Sequence, residues 1–427
     1  MNARWVMGPV LFAAAACAAG DRDGNAQRSS SRAEGDDGGV TSVLPASCVR
    51  MMDIKTFAGA EFAGAQVTDL NERGEVVGWM LNAGVESAFY WNGSQLVDLG
   101  PNTRAFSINE RSEIAFTRDG KTYIWRNGTA HELDGVGGTS YINDQGDVVG
   151  LELPVEYGTH AALWRNGATT DLGVINGDFS TPVGLNERGQ VLVSSGNDAP
   201  VEHASFHPFI WENGTVTDVN PPEFPASYAV ALNESGSALL NAFAAYDSGF
   251  LNQAVLWTGG AAVTVTVPGM TYVRGVALND HDAVLGAAIA FLEDHAEGHS
   301  ILWQNGQSTI ITGPGVTPDD PGDPVAVNND NVVAMRVGAH AFAWKNGASV
   351  ALEGGTVQRA QAMNEHGLIA GTIDTGTNAQ TARIWDVSRC FEGGSVGGFD
   401  AGTDAGSNTG EDAGVTPTDA GGGGKAW

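Results

Sequence analysis

The chain has 427 residues, and its 50 acidic against 21 basic side chains give a formal net charge of −29 at pH 7. This balance excludes nucleic acid and anionic lipid surfaces as expected partners, because binding either one requires clustered cations. Glycine supplies 59 residues, about twice its usual share of roughly 7%. Val, Ile, Thr and Trp recur in short runs, so the composition predicts an all-β protein.

The N-terminus has the pattern of an export signal. Arg4 precedes an apolar run from Trp5 to Ala16, which is too short to span a bilayer, and Cys17 follows the run. Residues 1–17 are therefore predicted to be an export signal of the lipoprotein type, with lipid attached to Cys17. Cleavage at an Ala-x-Ala site and plain secretion is the alternative. In the first case the protein lies at the outer membrane or cell surface and touches the membrane only through its lipid anchor.

Two cysteines remain once Cys17 has been lipidated or removed by cleavage. They are Cys48 and Cys390. An even pair in an oxidising compartment predicts a disulfide between them.

One turn of a repeat is marked by a short motif, as in LNERG. An apolar residue is followed by Asn, then usually by an acid, and usually by Gly two places after the acid. The motif occurs eight times, at Asn71, Asn109, Asn143, Asn186, Asn233, Asn279, Asn328 and Asn364. Each copy predicts a buried strand that runs into a tight hairpin, where Gly adopts the left-handed conformation. Ser112 and Asp282 replace that Gly, and the copy at Asn328 reads as one residue short. We expect those three hairpins to differ.

A second anchor, usually Trp-x-Asn-Gly, lies between successive Asn anchors and predicts a second hairpin. Its positions are Trp91, Trp125, Trp164, Trp211, Trp257, Trp303, Trp344 and Trp385. Each repeat therefore has four strands, which favours a single β-propeller of eight blades over residues 48–390. Seven blades are the alternative, if the degenerate copy at Asn328 fuses with a neighbour.

The two ends of the repeat array complement each other. The last repeat stops at RIWDVSRC without a fourth strand, whereas a spare strand, CVRMMDI, precedes the first anchor. The spare strand is predicted to complete the last blade and to bring Cys48 beside Cys390. A disulfide there would join the two ends of the array, which an open solenoid has no reason to bring together.

The pattern resembles the HAF repeat of bacterial extracellular proteins. His340, Ala341 and Phe342 match its three-letter core, while the segments at His160, His207 and Ser87 match it in part. The resemblance covers about residues 48–390. It implies a cell-surface or secreted repeat protein and brings no reaction with it.

The flanking segments are poor in large apolar residues. Residues 18–47 are predicted to be a disordered tether, and residues 391–427 a disordered acidic tail rich in Gly, Asp and Ala.

The repeat also predicts where function lies. Both tight turns of every repeat fall at one end of the strands, and the variable connections fall at the other. The variable loops include Glu152–Thr159, Ser195–Ser205, Tyr246–Asn252, Glu293–Gly298 and Thr312–Asp323. Variable loops on a rigid scaffold are the usual place for binding residues, so we expect the binding site there.

Several side-chain groups resemble metal sites. His295, Glu297 and His299 form one, and Glu202, His203 and His207 form another. However, His160, His207, His299 and His340 all lie four residues before a Trp anchor, so a polar start of the third strand is the simpler interpretation.

Two further groups resemble calcium sites. They are Asp319 with Asp320 and Asp323, and Asn143 with Asp144 and Asp147. Neither has the alternating oxygen ligands of a calcium loop. The sequence therefore predicts no metal and no cofactor.

Three glycosylation sequons start at Asn92, Asn127 and Asn213, and each coincides with a predicted Asn-Gly turn. The Trp anchors could stack on sugars, but their fixed strand position favours the core. The sequence shows no motif for a reaction.

We expect a monomeric, non-enzymatic binding or scaffold module for an unidentified protein or glycan. A propeller enzyme acting on extracellular glycans, with its site at the mouth of the central channel, is the alternative.

Overall fold

The computed structural model describes residues 42–54, 63–82, 84–153, 158–197, 206–243, 252–354, 356–374 and 380–391. They belong to one compact unit that starts at Val40. The export signal with Cys17, most of the predicted tether and nearly all of the tail lie outside the described residues. None of the described helices is long and apolar enough to cross a membrane.

The all-β prediction is confirmed, since the described elements are strands apart from one 3-10 turn at Ala46–Cys48. Before the first Asn anchor the strands are β1 (Ser42–Val43), β2 (Arg50–Ile54) and β3 (Ala63–Leu70). Repeats 1 to 3 continue with β4 (Val76–Asn82), β5 (Val85–Trp91), β6 (Leu96–Pro101), β7 (Thr103–Ile108), β8 (Ile114–Arg118), β9 (Lys121–Arg126), β10 (Thr129–Ile142), β11 (Val148–Glu152), β12 (Ala161–Arg165) and β13 (Ala168–Asp171).

The next two repeats are formed by β14 (Phe179–Leu185), β15 (Val191–Gly196), β16 (Phe206–Glu212), β17 (Thr215–Asp218), β18 (Ser227–Leu232), β19 (Ala238–Phe243), β20 (Asn252–Thr258) and β21 (Ala261–Thr264). The last three are formed by β22 (Tyr272–Leu278), β23 (Val284–Phe291), β24 (Ala296–Gln304), β25 (Gln307–Ile310), β26 (Asp323–Val327), β27 (Val333–Val337), β28 (His340–Lys345), β29 (Ala348–Ala351), β30 (Thr356–Met363), β31 (Leu368–Asp374) and β32 (Gln380–Asp386).

Strands within a repeat pair antiparallel in chain order, as the two hairpins of each repeat require. The long strand β10 is shared: its start pairs with β9 and its end with β11, so repeats 2 and 3 form one continuous sheet. Repeats 5 and 6 also belong to one sheet, but there the connection is a single parallel bridge between β20 and β22. Every first strand also carries a β-bulge shortly before its Asn anchor.

The Asn-anchored hairpins are alike in all eight repeats, so the expectation that three of them differ is wrong. Ser112, Asp282 and Asn331 adopt φ of 57°, 59° and 59°, close to the φ of 75° at Gly74. Asn331 stands three residues after its anchor, as Gly74 does, so the copy at Asn328 is not one residue short. Asn and Asp tolerate the left-handed region better than other residues do, whereas Ser112 is held there by its neighbours.

The Trp anchors are core residues, as the sequence predicts. Five are buried, at 9% exposure or less: Trp91, Trp211, Trp303, Trp344 and Trp385. The other three are half-buried against apolar clusters. The following Asn-Gly pairs form two-residue turns with positive φ at both positions, for example at Asn127 (48°) and Gly128 (82°). Asn213 forms the same turn, while Asn92 holds a longer one by accepting the N–H groups of Ser94 and Gln95.

Apolar clusters lie between neighbouring repeats. One joins Tyr90 of repeat 1 to Phe116 of repeat 2. Another joins Phe89 and Trp91 of repeat 1 to Ile384 of repeat 8. Burying one such side chain contributes about 1.5–3 kcal/mol, so the first and last repeats are held together by the same packing that joins sequence neighbours.

The N-terminal strand β2 pairs antiparallel with β32, with Met51 opposite Trp385. A disulfide links Cys48 to Cys390, whose Cα atoms lie 5.1 Å apart. Residues 42–47 and Phe391 were expected to belong to the disordered flanking segments, but the structure places them against the repeats. β1 adds in parallel to the free edge of β29, where it satisfies backbone groups, and the Phe391 side chain is buried.

Candidate binding face and the repeated turns

The antiparallel pairing places the Asn-anchored turns and the Trp-x-Asn-Gly turns at one end of the strands; we call this end the turn face. The opposite end, where second strands meet third strands and fourth strands lead to the next repeat, is the loop face.

On the turn face, the eight anchors form the Asn circuit. In each repeat the anchor side chain accepts N–H groups of its own hairpin, as Asn186 does from Arg188 and Gln190. Its Nδ2 also donates to the carbonyl of the next anchor at 2.9–3.5 Å. The series returns from Asn364 to Asn71, at 3.1 Å. All eight anchors are buried, so each hydrogen bond also prevents the cost of an unpaired polar group.

The residue after each anchor forms a second series, the acid circuit. Its members are Glu72, Glu110, Asp144, Glu187, Glu234, Asp280, Asn329 and Glu365. The backbone N–H of each member donates to the side-chain oxygen of the next one at 2.6–3.1 Å, and Glu365 donates to Glu72. Seven carboxylates are therefore brought close together, and Asn329 is the one neutral member.

Burial and mutual repulsion shift the protonation of this circuit. Burial, together with the carboxylates of Asp144 and Glu234, raises the pKa of Glu187 to about 7 against the opposing effect of a backbone hydrogen bond. Burial, again helped by neighbouring carboxylates, raises the pKa of Glu110, Glu234 and Glu365. The circuit therefore carries unfavourable like charge once these groups ionise.

A single acid lies deeper in the first strand of repeat 1. Asp69 accepts the N–H groups of Leu70 and Ile108, both at 2.9 Å. Burial raises its pKa to about 6, in spite of these hydrogen bonds. Asp69 thus links repeats 1 and 2 by a bond of the same kind as those in the acid circuit.

These contacts explain the calcium-like pattern at Asn143. That side chain belongs to the Asn circuit, Asp144 accepts the N–H of Glu110, and Asp147 binds Arg165 at 2.8 Å. In the other candidate group, Asp323 forms an ion pair with Arg336.

The loop face carries aromatic side chains at strand ends in repeats 4 and 5. Phe179, Phe206, Tyr228 and Phe243 form what we call the aromatic row. Successive ring centroids lie 6.3, 4.4 and 4.8 Å apart. All four side chains are half-buried, so each ring presents an edge or face to solvent while its neighbours hold it in place.

Repeat 6 continues the apolar character of the loop face. The ring centroids of Tyr272 and Phe291 lie 5.8 Å apart. The side chains of Phe291 and Leu292 are 55% and 47% exposed. The expected loop at Glu293–Gly298 is shorter than predicted, because β24 already begins at Ala296. The resulting tight hairpin leaves Phe291 and Leu292 projecting at its tip.

Two histidines at the starts of third strands, His160 and His207, pair with acids. His160 Nδ1 lies 3.0 Å from Asp171 and His207 Nδ1 lies 3.4 Å from Asp218, so both pair across the third and fourth strands as Lys121 and Glu132 do. This agrees with the repeat-position interpretation. In the second group that resembles a metal site in sequence, Glu202 and His203 lie outside the described residues.

His295 is an exposed side chain that contacts the carboxylates of Asp294 and Glu297. Its pKa is raised, first by the hydrogen bond to Asp294. His299 does not join them in a three-ligand group among the described residues. One group that the sequence did not single out does come together: the ligand atoms of Glu152, His160 and Asp171 lie within 4.8 Å of one another.

No family model matches the chain, and no curated protein matches it. Among solved structures, the chain is similar to the β-propeller domain of the trilobed protease from Pyrococcus furiosus, at 14% identity and a TM-score of 0.43, covering 70% of this chain and 97% of that one. It is also similar to the WD40 domain of SCAP from fission yeast, at 8% identity and a TM-score of 0.42, covering 81% and 100%.

A third similar structure is the acylaminoacyl peptidase of Pyrococcus horikoshii, at 13% identity and a TM-score of 0.41. The match covers 68% of this chain and 52% of the peptidase, so about half of that enzyme has no counterpart here. Similarity at this level says nothing about what this chain binds. The described chain is an all-β repeat protein whose similar structures include β-propellers.

Proposed function

We propose that the eight repeats close into one eight-bladed propeller of the HAF-repeat kind, exported and held at the cell surface through lipid on Cys17. The return of both circuits from repeat 8 to repeat 1 supports closure. The pairing of β2 with β32 and the disulfide between Cys48 and Cys390 support it at the chain ends.

The propeller serves as a binding module that recognises an extracellular protein or glycan with its loop face. The aromatic row carries this proposal, because half-buried rings that hold one another in place offer apolar area at little cost in conformational entropy. Sugar faces and apolar peptide side chains both stack on such rings. On the described part of the turn face, the repeated anchor and acid side chains are occupied by the two circuits.

The test uses the full exported chain as bait, once against envelope extract and once against a glycan array. The binding variant is Phe206→Ala combined with Tyr228→Ala. The control is Val216→Ala, which removes an apolar side chain that is 43% exposed on β17, away from the aromatic row.

We expect the wild type and the control to capture the same partner, and the double variant to lose at least about tenfold in affinity, or roughly 1.4 kcal/mol. Thermal unfolding monitored by circular dichroism verifies that all three proteins are folded. Equal capture by the folded double variant would rule out the aromatic row as the recognition surface.

A further inference from the structure

Strand geometry places three ligand side chains on one side of repeat 3. The N–H of Glu152, at the end of β11, donates to the carbonyl of His160 at 2.9 Å, so these two residues are directly opposite each other. Asp171, at the end of β13, is opposite Ala162, which is two residues from His160. Opposite residues and residues two apart share a sheet face. All three side chains therefore project from the same face at the same edge.

Repeat 3 differs here from every other repeat. The residue that matches Glu152 in strand pairing is Met80, Arg118, Ser195, Ala242, Ala288, Val337 or Ile373. Six of these seven are buried and one is half-buried, whereas Glu152 is exposed. A carboxylate thus occurs at this position only beside the His160–Asp171 pair, and repeat 4 has the pair of His207 and Asp218 without a third ligand.

We propose that Glu152, His160 and Asp171 form a binding site for a zinc-like divalent cation. Zinc accepts imidazole nitrogen and carboxylate oxygen at about 2.0–2.2 Å in tetrahedral geometry, which places ligands roughly 3.4 Å apart. His160 and Asp171 already lie 3.0 Å apart, and the group spans 4.8 Å at most. Small rotations of the exposed Glu152 side chain close that difference.

The ligand set selects the metal class. An imidazole nitrogen favours zinc and its neighbours in the transition series, whereas calcium takes six to eight oxygen ligands. The two carboxylates, Glu152 and Asp171, give the site negative charge, which attracts a divalent cation. Three protein ligands leave a fourth position open to water or to a donor group of a bound partner. The site is independent of the aromatic row, so either proposal can fail alone.

The experiment is a calorimetric titration of the full chain with Zn²⁺ and, separately, with Ca²⁺, together with visible absorption of the Co²⁺ form. We expect saturable binding of Zn²⁺ and tetrahedral Co²⁺ absorption, with Ca²⁺ binding at least about a hundredfold more weakly.

Three variants decide whether this site is responsible. Glu152→Ser introduces the residue that repeat 4 has at that position, and Glu152→Gln preserves side-chain shape; each should weaken Zn²⁺ binding at least about tenfold. The matched control, His207→Ala, removes the equivalent histidine of repeat 4 and should leave binding unchanged. Absence of Zn²⁺ binding by the wild type, wild-type affinity in both folded Glu152 variants, or loss in His207→Ala would each overturn the proposal.

Discussion

The turn face and the loop face are made by the same eight repeats, yet they differ in how far the copies agree. On the turn face every copy makes the same two hydrogen bonds to its neighbour, even where Ser112 or Asn331 replaces glycine. On the loop face the copies diverge into an aromatic row, a projecting Phe291 hairpin and the Glu152 group. Agreement among copies marks residues that hold repeats together, and divergence marks residues free to acquire recognition.

The largest expected effect lies at the join of the chain ends on the turn face. Replacing Cys48 and Cys390 by Ser should lower the free energy of unfolding by about 4 kcal/mol, because the disulfide closes a loop of 342 residues. Urea unfolding at equilibrium measures this change. A loss below about 1 kcal/mol would show that the join contributes little beyond strand pairing.

The Asn circuit should come next. Asn186→Ala removes an acceptor from two part-buried hairpin N–H groups and a donor to the buried Asn233 carbonyl. We expect a loss of about 3 kcal/mol in unfolding free energy. Asn305→Gly, in an exposed turn with φ of 52°, is the control and should change stability by less than about 0.5 kcal/mol.

Asn364→Ala sharpens the same comparison, since its Nδ2 bond joins the last repeat to the first. In a closed array it should cost as much as Asn186→Ala. A clearly smaller cost, measured by the same urea titration, would indicate that the array is open at this point.

The acid circuit should make stability depend on pH. Because the pKa of Glu187 is raised to about 7 from its ordinary value of 4.5, its stabilising contribution is present below pH 4.5 and is lost as pH rises through 7. Glu187→Gln should therefore stabilise the protein by about 1 kcal/mol at pH 8, after allowance for solvent screening, and by almost nothing at pH 4.

Asn329 provides the precedent for this substitution, because its amide oxygen accepts the N–H of Asp280 at 2.8 Å without a charge. Glu223→Gln, at an exposed site outside the circuit, is the control. Thermal unfolding at the two pH values measures both variants. An equal effect of Glu187→Gln at pH 4 and pH 8 would contradict the electrostatic explanation.

The smallest effect on stability is expected on the loop face. Phe291→Ala removes a ring that is 55% exposed, so we expect a loss below about 1 kcal/mol. Differential scanning calorimetry measures it. A loss as large as that of Asn186→Ala would mean that this hairpin is part of the core and erase the difference between the two faces.

Local pattern was sufficient to predict the strands, the Trp core and the pairing of β2 with β32, because alternation, Asn-Gly turns and a missing fourth strand are all visible in one repeat. Contacts between repeats were not visible. The acid after each anchor could be seen, but its bond to a neighbouring backbone depends on how repeats pack. Seven acids and one Asn, aligned at a fixed turn position, were the available signal.

The Glu152 group could not be predicted from the sequence, for a similar reason. Its three residues lie on three strands, and only the register of β11, β12 and β13 shows that they share a face. The sequence indicated His295 and His299 instead, because they are close together along the chain. These two do not meet in a three-ligand group within the described ranges. Order in Ser42–Val43 likewise depends on a distant partner, the free edge of β29.

Partner affinity in one turn-face and one loop-face variant tests the division between the two faces most directly. Asn186→Ala and the Phe206→Ala/Tyr228→Ala pair are compared by calorimetric titration with the captured partner, at a temperature where both remain folded. We expect unchanged affinity and lower stability in Asn186→Ala, and at least about tenfold weaker binding in the aromatic pair. Weaker binding in Asn186→Ala with unchanged binding in the aromatic variant would contradict this expectation.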